Sequence, residues 1–219
     1  MLGSAASVAN PNIVLNTAVA EALDQFAKEL DGVAPEDMEH AVHELIKRAI
    51  KKHKRVIFNG NGYTDEWIEE AEKRGLYNLK STPDALPMWI AQKNIDLFTK
   101  HSIFTSEELH SRYEIWLENY SKTINIEALT MVDMAKKQYI PAVMEYTRTL
   151  ADTVLAVKSA GADATVQTTV LKSISEKLAE AQAAETALED KLAEAAGIED
   201  PKKLAFFYKD VVHTAMDDL

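Results

Sequence analysis

The chain has 219 residues, 47% hydrophobic and 27% charged, with 24 Lys and Arg against 35 Asp and Glu for a net charge of −11. Abundant Ala, Glu, Lys and Leu with seven glycines and six prolines favour a mostly helical globular protein of one or two domains. The acidic balance argues against a nucleic-acid or anionic-membrane surface, and the absence of cysteine excludes disulfides, zinc–thiolate sites and thiol nucleophiles. No apolar run approaches the ~20 residues of a membrane span, and the start lacks the layout of a signal peptide, so a cytoplasmic protein without a membrane partner is expected.

Residues 1–9 are small and patternless, which reads as a cut edge. Asn10-Pro11 then opens a helix, with Asn10 as its cap and Pro11 in its first turn. Its apolar stripe of Ile13, Val14, Ala18, Leu23, Phe26, Ala27 and Leu30 must face something before Gly32 ends it. A second helix runs from near Pro35 to about Lys54, with Met38, Val42, Leu45, Ile46 and Ala49 inward and a basic run, Lys47 to Arg55, in its last turns, where the helix dipole favours cations.

Arg55-Val56-Ile57-Phe58-Asn59 is the one strand candidate, followed by the turn Gly60-Asn61-Gly62. Acidic residues Asp65, Glu66, Glu69 and Glu70 follow that turn, so it reads as a turn and not as a phosphate cradle. Thr64 caps a helix over Asp65 to Arg74 that Gly75 closes. Residues 80–87, with Pro83 and Pro87, form an irregular connector. Helix resumes at Met88 or Trp89 and stops near His101, and Thr105 or Ser106 caps another to about Tyr120, with Leu109, Tyr113, Trp116 and Leu117 inward.

From Ile126 to Ala196 the pattern is that of two long helices folded back on each other. Leu171, Ile174, Leu178, Ala181, Leu188, Leu192 and Ala195 fall on the three-and-four spacing of a two-helix seam, with Glu185 as the one gap. Ile140, Val143, Leu150, Val154 and Val157 keep similar spacing, and Gly161 supplies the reversal between them. Pro141 should kink or split the first of the two. Asp200-Pro201 starts a final amphipathic helix with Leu204, Phe207, Tyr208, Val211 and Val212 on one face, and it meets Leu219 with no stop signal. The fold class is therefore all-α, with at most one short strand near residues 56–58, built as a helical bundle with a long antiparallel helical hairpin. Residues 1–125 form one domain and 126–219 the hairpin with the terminal helix.

Chemistry is sparse. His40 and His43 lie three apart beside Glu36, Glu39 and Glu44, which is not the His-Glu-x-x-His spacing of a zinc site, and a solvated face explains them. His53, His101, His110 and His213 are scattered, and Trp67, Trp89 and Trp116 recur on helices as core residues. Gly3-Ser4-Ala5-Ala6-Ser7 is the nearest approach to a nucleophile elbow and lacks the second glycine and the preceding strand. No nucleotide loop is present. Residue by residue, this is a helical module with no catalytic, cofactor or metal residue.

Two stretches resemble the glutamine synthetases of the long type III branch. Residues 2–21, with the Asn10-Pro11 turn and Asn16, resemble the passage from that family's last active-site strand into a helix. Arg55-Val56-Ile57-Phe58-Asn59-Gly60-Asn61-Gly62-Tyr63, with Trp67, Glu70 to Leu76 and Asn78 to Pro87, is the more specific match, and Ile103 to Leu109 with Trp116 is similar to the end of the common catalytic domain. The resemblance marks Asn10, Pro11, Asn16, Gly60, Gly62, Tyr63, Pro83 and Pro87 as structural positions.

Such enzymes phosphorylate the side-chain carboxylate of glutamate with ATP and let ammonia displace the phosphate, with Mg²⁺ or Mn²⁺ holding the nucleotide. Their metal-binding, ammonia-site and phosphate-contacting motifs have no counterpart here, so the resemblance implies a carboxy-terminal piece of a larger enzyme. ATP and metal would belong to the parent, and the partners would be the remainder of the catalytic domain and neighbouring subunits of a homo-oligomer. Freed from that domain, the apolar faces of the piece should drive self-association. The other reading is an autonomous helical interaction module without enzymatic activity.

Overall fold

The computed structural model describes residues 7–219. The stretch Gly3 to Ala6, and with it most of the apparent cut edge and the elbow-like serine, lies outside the described residues. Among those described the fold is all-α, and no strand forms. The helices are α1 (Ala9–Leu30), α2 (Met38–His53), α3 (Asp65–Lys73), α4 (Thr82–Ala85), α5 (Gln92–Lys100), α6 (Ser106–Met134), α7 (Ile140–Ser159), α8 (Thr165–Ala195), α9 (Pro201–Phe207) and α10 (His213–Asp218).

Two compact units result: residues 1–80 with 87–111, and residues 81–86 with 112–219. Residues 125 and 126 lie inside α6.

In the first unit, α1 begins one residue earlier than Asn10. Its cap position is Val8, which offers no side-chain acceptor, so Asn10 lies within the first turn instead of capping it. Gly32 adopts φ +79° just past the helix. The strand candidate is a correction: Lys54–Val56 continue α2 as a 3₁₀ turn, and Ile57 is extended but pairs with no ladder. A β-branched run is no strand without an edge to pair with. The connector at 80–87 is also more ordered than expected. Ser81 Oγ accepts from Asp84 N–H at 3.3 Å and caps α4, whose first turn tolerates Pro83, and Leu86–Met88 form a 3₁₀ turn containing Pro87. Thr105 makes a capping box at the start of α6: its Oγ1 accepts from Glu108 N–H at 3.2 Å, and its own N–H donates to Glu108 Oε2 at 2.8 Å.

Three helix ends use one device. At Gly75 (φ +68°), Ser102 (φ +53°) and Gly161 (φ +76°) the next residue's N–H reaches back five residues, from Leu76 to Ala71, Ile103 to Phe98 and Ala162 to Val157.

The second unit is built on the run from α6 into α7. Between them Ala135–Tyr139 form a π-turn in which Ile140 N–H donates to Ala135 C=O, five residues back. The buried positions explain it. Ala128, Val132 and Ala135 advance by four and three, but the next buried residue is Ile140, five further on, while Tyr139 is 60% exposed. An α-helix would put Tyr139 inward and turn the α7 stripe away from α8; one extra residue keeps both stripes on one side. Pro141 therefore neither splits nor ends the helix. It sits in the first turn after the π-turn, where a missing N–H costs least.

After Gly161 the chain continues as α8, which packs on α7. Ala128, Val132, Leu188, Ala195, Tyr208 and Val212 form the core where α6, α8 and the terminal helices meet. Asp200 Oδ1 accepts from Lys203 N–H at 2.7 Å and caps α9, and a second π-turn, Tyr208–Val212, leads into α10. Inside this unit Tyr208 donates its hydroxyl to Asn125 Oδ1 at 2.9 Å, and Lys209 pairs with Asp84 at 2.8 Å.

Candidate functional site

The first unit carries an open apolar face held in place by charge. Along α1, Leu15, Val19 and Leu23 share one face and are 63%, 57% and 61% exposed. The opposite face carries Thr17, 3% exposed with its hydroxyl donating to Ile13 C=O, and then Glu21 and Asp24. Glu21 Oε2 meets Lys100 Nζ at 2.6 Å and His101 Nε2 at 2.7 Å, and Asp24 meets Lys100 at 2.9 Å and Lys28 at 2.8 Å. Lys100 is the main cause that holds both carboxyls down to about 2. The helix thus meets its own unit with Ile13 and this ion cluster, half-buries Phe26 and Leu30 near its end, and leaves Leu15, Val19 and Leu23 outward.

Behind that face the buried hydrophobic core is thin: Leu45, Ala71, Phe98 and Leu109 are its buried members among the described residues of this unit. Trp89, Phe98 and Phe104 add an aromatic cluster with ring centroids 5.1 to 6.1 Å apart.

The tip at residues 55–75 is tied by Arg74. Its Nε donates to Glu70 at 2.6 Å, its Nη1 donates to the carbonyls of Ile57 at 2.9 Å and Arg55 at 3.3 Å, and its guanidinium lies 5.5 Å from the Trp67 ring centroid. Phe58 stacks on Trp67 at 4.1 Å. Gly60 is required by this packing, since a Cβ there would come within 2.5 Å of the Phe58 ring. Gly62 has open space, and Tyr63 beside it is wholly exposed.

The remaining structural positions fall elsewhere. Pro11 and Asn16 are exposed along α1, and Asn10 is half-buried. Pro83 is fully buried in the second unit, and Pro87 is half-buried in the first.

Among the described residues no three His, Asp or Glu side chains form a group able to hold a metal ion. No described helix is long and apolar enough to cross a membrane. What the first unit leaves exposed is the apolar row of Leu15, Val19 and Leu23 on α1.

Two features escaped the linear pattern. The ion clamp joins residues 79 and 80 positions apart, from Glu21 to Lys100 and His101; its only local sign is a row of Thr17, Glu21 and Asp24 opposite Leu15, Val19 and Leu23. Glu185, the gap in the seam, is 1% exposed. Lys136 from the π-turn stands 3.3 Å from its Oε1 without hydrogen-bond geometry, and Gln182 donates to its Oε2 at 2.8 Å.

Comparison with known proteins bears on this geometry. The family model described as glutamine synthetase C-terminal domain matches residues 41–158. A protein of Butyrivibrio fibrisolvens named glutamine synthetase is 44% identical over 193 residues, covering 87% of this chain and 28% of that protein. A type-3 glutamine synthetase of Dictyostelium discoideum is 40% identical over 157 residues, 71% of this chain and 21% of that one. A glutamine synthetase of Bacteroides fragilis is 30% identical over 158 residues, 71% of this chain and 22% of its own length. The chain thus spans between a fifth and three tenths of these relatives.

Proposed function

Because the chain belongs to the glutamine synthetase C-terminal domain family, we propose that it is the carboxy-terminal helical part of an ATP-dependent glutamate–ammonia ligase and supplies scaffold and subunit contacts to it. ATP, the divalent cation and the catalytic side chains belong to the rest of the longer polypeptide, which works in the cytoplasm as a homo-oligomer. The observation that carries the reading is the exposed row on α1: Leu15, Val19 and Leu23 face outward over a unit with few buried hydrophobics. Such a face wants a second layer, and the remainder of the catalytic domain is its natural cover. The run from α6 to α8 is the elaboration that reaches neighbouring subunits.

The test is complementation. The chain alone, and then mixed with the separately produced remainder of a relative's catalytic domain, is assayed for glutamine from glutamate, ammonia, ATP and Mg²⁺. Activity in the mixture only is the expected result. A triple change, Leu15→Ser with Val19→Ser and Leu23→Ser, should leave folding of the chain intact and abolish complementation. Glutamine formed by the chain alone, or complementation untouched by the triple change, refutes the assignment.

A further inference from the structure

We infer that α2 pairs antiparallel with α2 of a second copy of this chain, each copy laying its acidic first half on the other's basic second half. The inference rests on the reading that the chain supplies subunit contacts, and it names the surface that meets its own copy. Residues 31–44 hold Asp31, Glu36, Asp37, Glu39 and Glu44 with no Lys or Arg, and residues 47–55 hold Lys47, Arg48, Lys51, Lys52, Lys54 and Arg55 with no Asp or Glu. All of these are exposed, as are His40 and His43 among the acids and His53 among the bases.

Within the unit few of these charges are met. Glu44 pairs with Lys47 at 3.0 Å, and Arg48 with Glu29 of α1. Glu36, Asp37 and Glu39 have no cation partner, and Lys51, Lys52, Lys54 and Arg55 no carboxylate, among the described residues. Asp37 holds the cap position of α2 without a side-chain hydrogen bond to it. The tip brings no free acid to the basic end, since Arg74 stands at the carbonyls of Arg55 and Ile57 and Glu70 is bound to Arg74. The dipole of α2 favours this polarity but acts on the first and last turns, and Lys47 and Arg48 lie before the last turn. Cations stacked at four-residue spacing, Lys47 over Lys51 and Arg48 over Lys52, repel within the helix, and an opposing anionic surface relieves that repulsion.

A helix acidic at one end and basic at the other is complementary to itself turned end for end, and one two-fold axis satisfies both ends at once. The exposed Glu36, Glu39, His43, Ile46, Ile50 and Lys54 advance by three and four, the spacing of a helix-pair seam, with Glu36 in the turn before α2. With the axis crossing between His43 and Lys47, a single register sets Glu39 opposite Lys51 and Glu36 opposite Lys54 of the copy. Ile46 and Ile50, 46% and 54% exposed, give the pair an aliphatic centre, contrary to the expectation that Ile46 faces inward. Other acid-bearing helices fit less well. On α8 exposed Lys172 and Lys177 stand among Glu176 and Glu180, and α3 keeps Asp65 and Glu66 in its first turn, where its own dipole offsets them, and closes on Lys73.

The experiment uses the whole chain as an equal mixture of ordinary and ¹⁵N-labelled protein, with zero-length carbodiimide cross-linking and sedimentation. Mixed-isotope cross-links joining Glu36 or Glu39 to Lys51 or Lys54 are expected. Association should weaken at least tenfold from about 0.1 M to about 1 M salt, as the screening length falls from about 10 Å to about 3 Å; association through the apolar row of α1 would not weaken with salt. E36K/E39K/E44K and K47E/K51E/K54E, each folded by circular dichroism, should each lose the salt-sensitive association and regain it when mixed, because a basic helix then meets an acidic one. Cross-links confined to one isotope, mixed-isotope links from Lys51 and Lys54 to the acids of α3 or α8 instead, or folded variants that fail to associate when mixed, overturn the inference. So does salt-dependent binding of a labelled DNA oligonucleotide that the lysine reversals abolish while self-association persists. Cross-linking is read on the unsubstituted chain, so it decides the matter even where a variant does not fold. Complementation is read independently, so loss of this inference leaves the ligase reading standing.

Discussion

Deleting Lys137 should be tolerated, although it removes one residue from the middle of a helix that runs from Ser106 to Ser159. In an ordinary helix a deletion turns everything beyond it by about 100° and shifts it by about 1.5 Å. Here that would swing the α7 stripe off α8: Ile140 and Val154, which are buried, and Val143, Leu150 and Val157, which are partly so. At about 2 kcal/mol for each buried side chain and about 1 for each half-buried one, the loss is roughly 7 kcal/mol, as large as the whole stability of many domains. But the deletion falls inside the π-turn, where Ile140 N–H already reaches Ala135 C=O. Removing one residue makes that the ordinary four-residue bond and leaves Ile140 on its packed side. Lys137 contributes only an exposed pair with Asp133, which is worth little. Urea unfolding followed by circular dichroism should therefore place the variant within about 1 kcal/mol of the parent. Deletion of the exposed Lys122, which lies in regular helix, should be severe. Equal damage from both deletions would refute the account of the π-turn as one surplus residue.

Three further outcomes follow from the same geometry. Glu21 and Asp24 are held to about 2 mainly by Lys100, so their contribution to holding α1 is fully present above their ordinary values near 4 and is lost as pH falls through about 2; amide exchange in α1 should accelerate over that window before exchange in α8 does, and parallel acceleration of both would count against the clamp. Gly60→Ala must push the Phe58 ring off Trp67 and should cost about 1–3 kcal/mol in thermal unfolding, whereas Gly62→Ala, with open space, should stay within about 0.5 kcal/mol. Glu185→Leu completes the apolar seam and should be neutral or stabilising by up to about 2 kcal/mol, while Lys136→Met strands a buried carboxylate and should lower the unfolding midpoint; a lower midpoint for both would mean that the pair holds the seam together.

The parts of the fold legible in the sequence are those set by neighbours along the chain. The three-and-four rows of α7 and α8, the helix end at Gly161 and the Asp200-Pro201 start are local signals, and the structure carries each of them. The π-turn was half legible: Pro141 marked a disturbance, but only the step of five from Ala135 to Ile140 shows that the helix gains a residue instead of breaking. Arg55 to Asn59 misled because a short β-branched and aromatic run reports propensity, while a strand requires a partner edge. Arg74, seventeen residues on, takes the carbonyl of Ile57 that a ladder would have used. The ion clamp was illegible because neither of its halves has a local pattern that points to the other.

The placement of α1 ties these points to function. A surface helix in a self-sufficient domain buries hydrocarbon and shows charge; α1 departs from that in its middle turns, with Glu21 and Asp24 toward Lys100 and His101 and Leu15, Val19 and Leu23 outward, while Ile13, Phe26 and Leu30 stay half-buried. An ionic hold of this kind gains little from burial, since its charges remain partly hydrated, so it positions the helix without consuming its apolar face. Leu15, Val19 and Leu23 then remain exposed. The exposed Leu15, Val19 and Leu23 are the part of α1 that the proposed scaffold role would use, and the triple serine change tests whether it does.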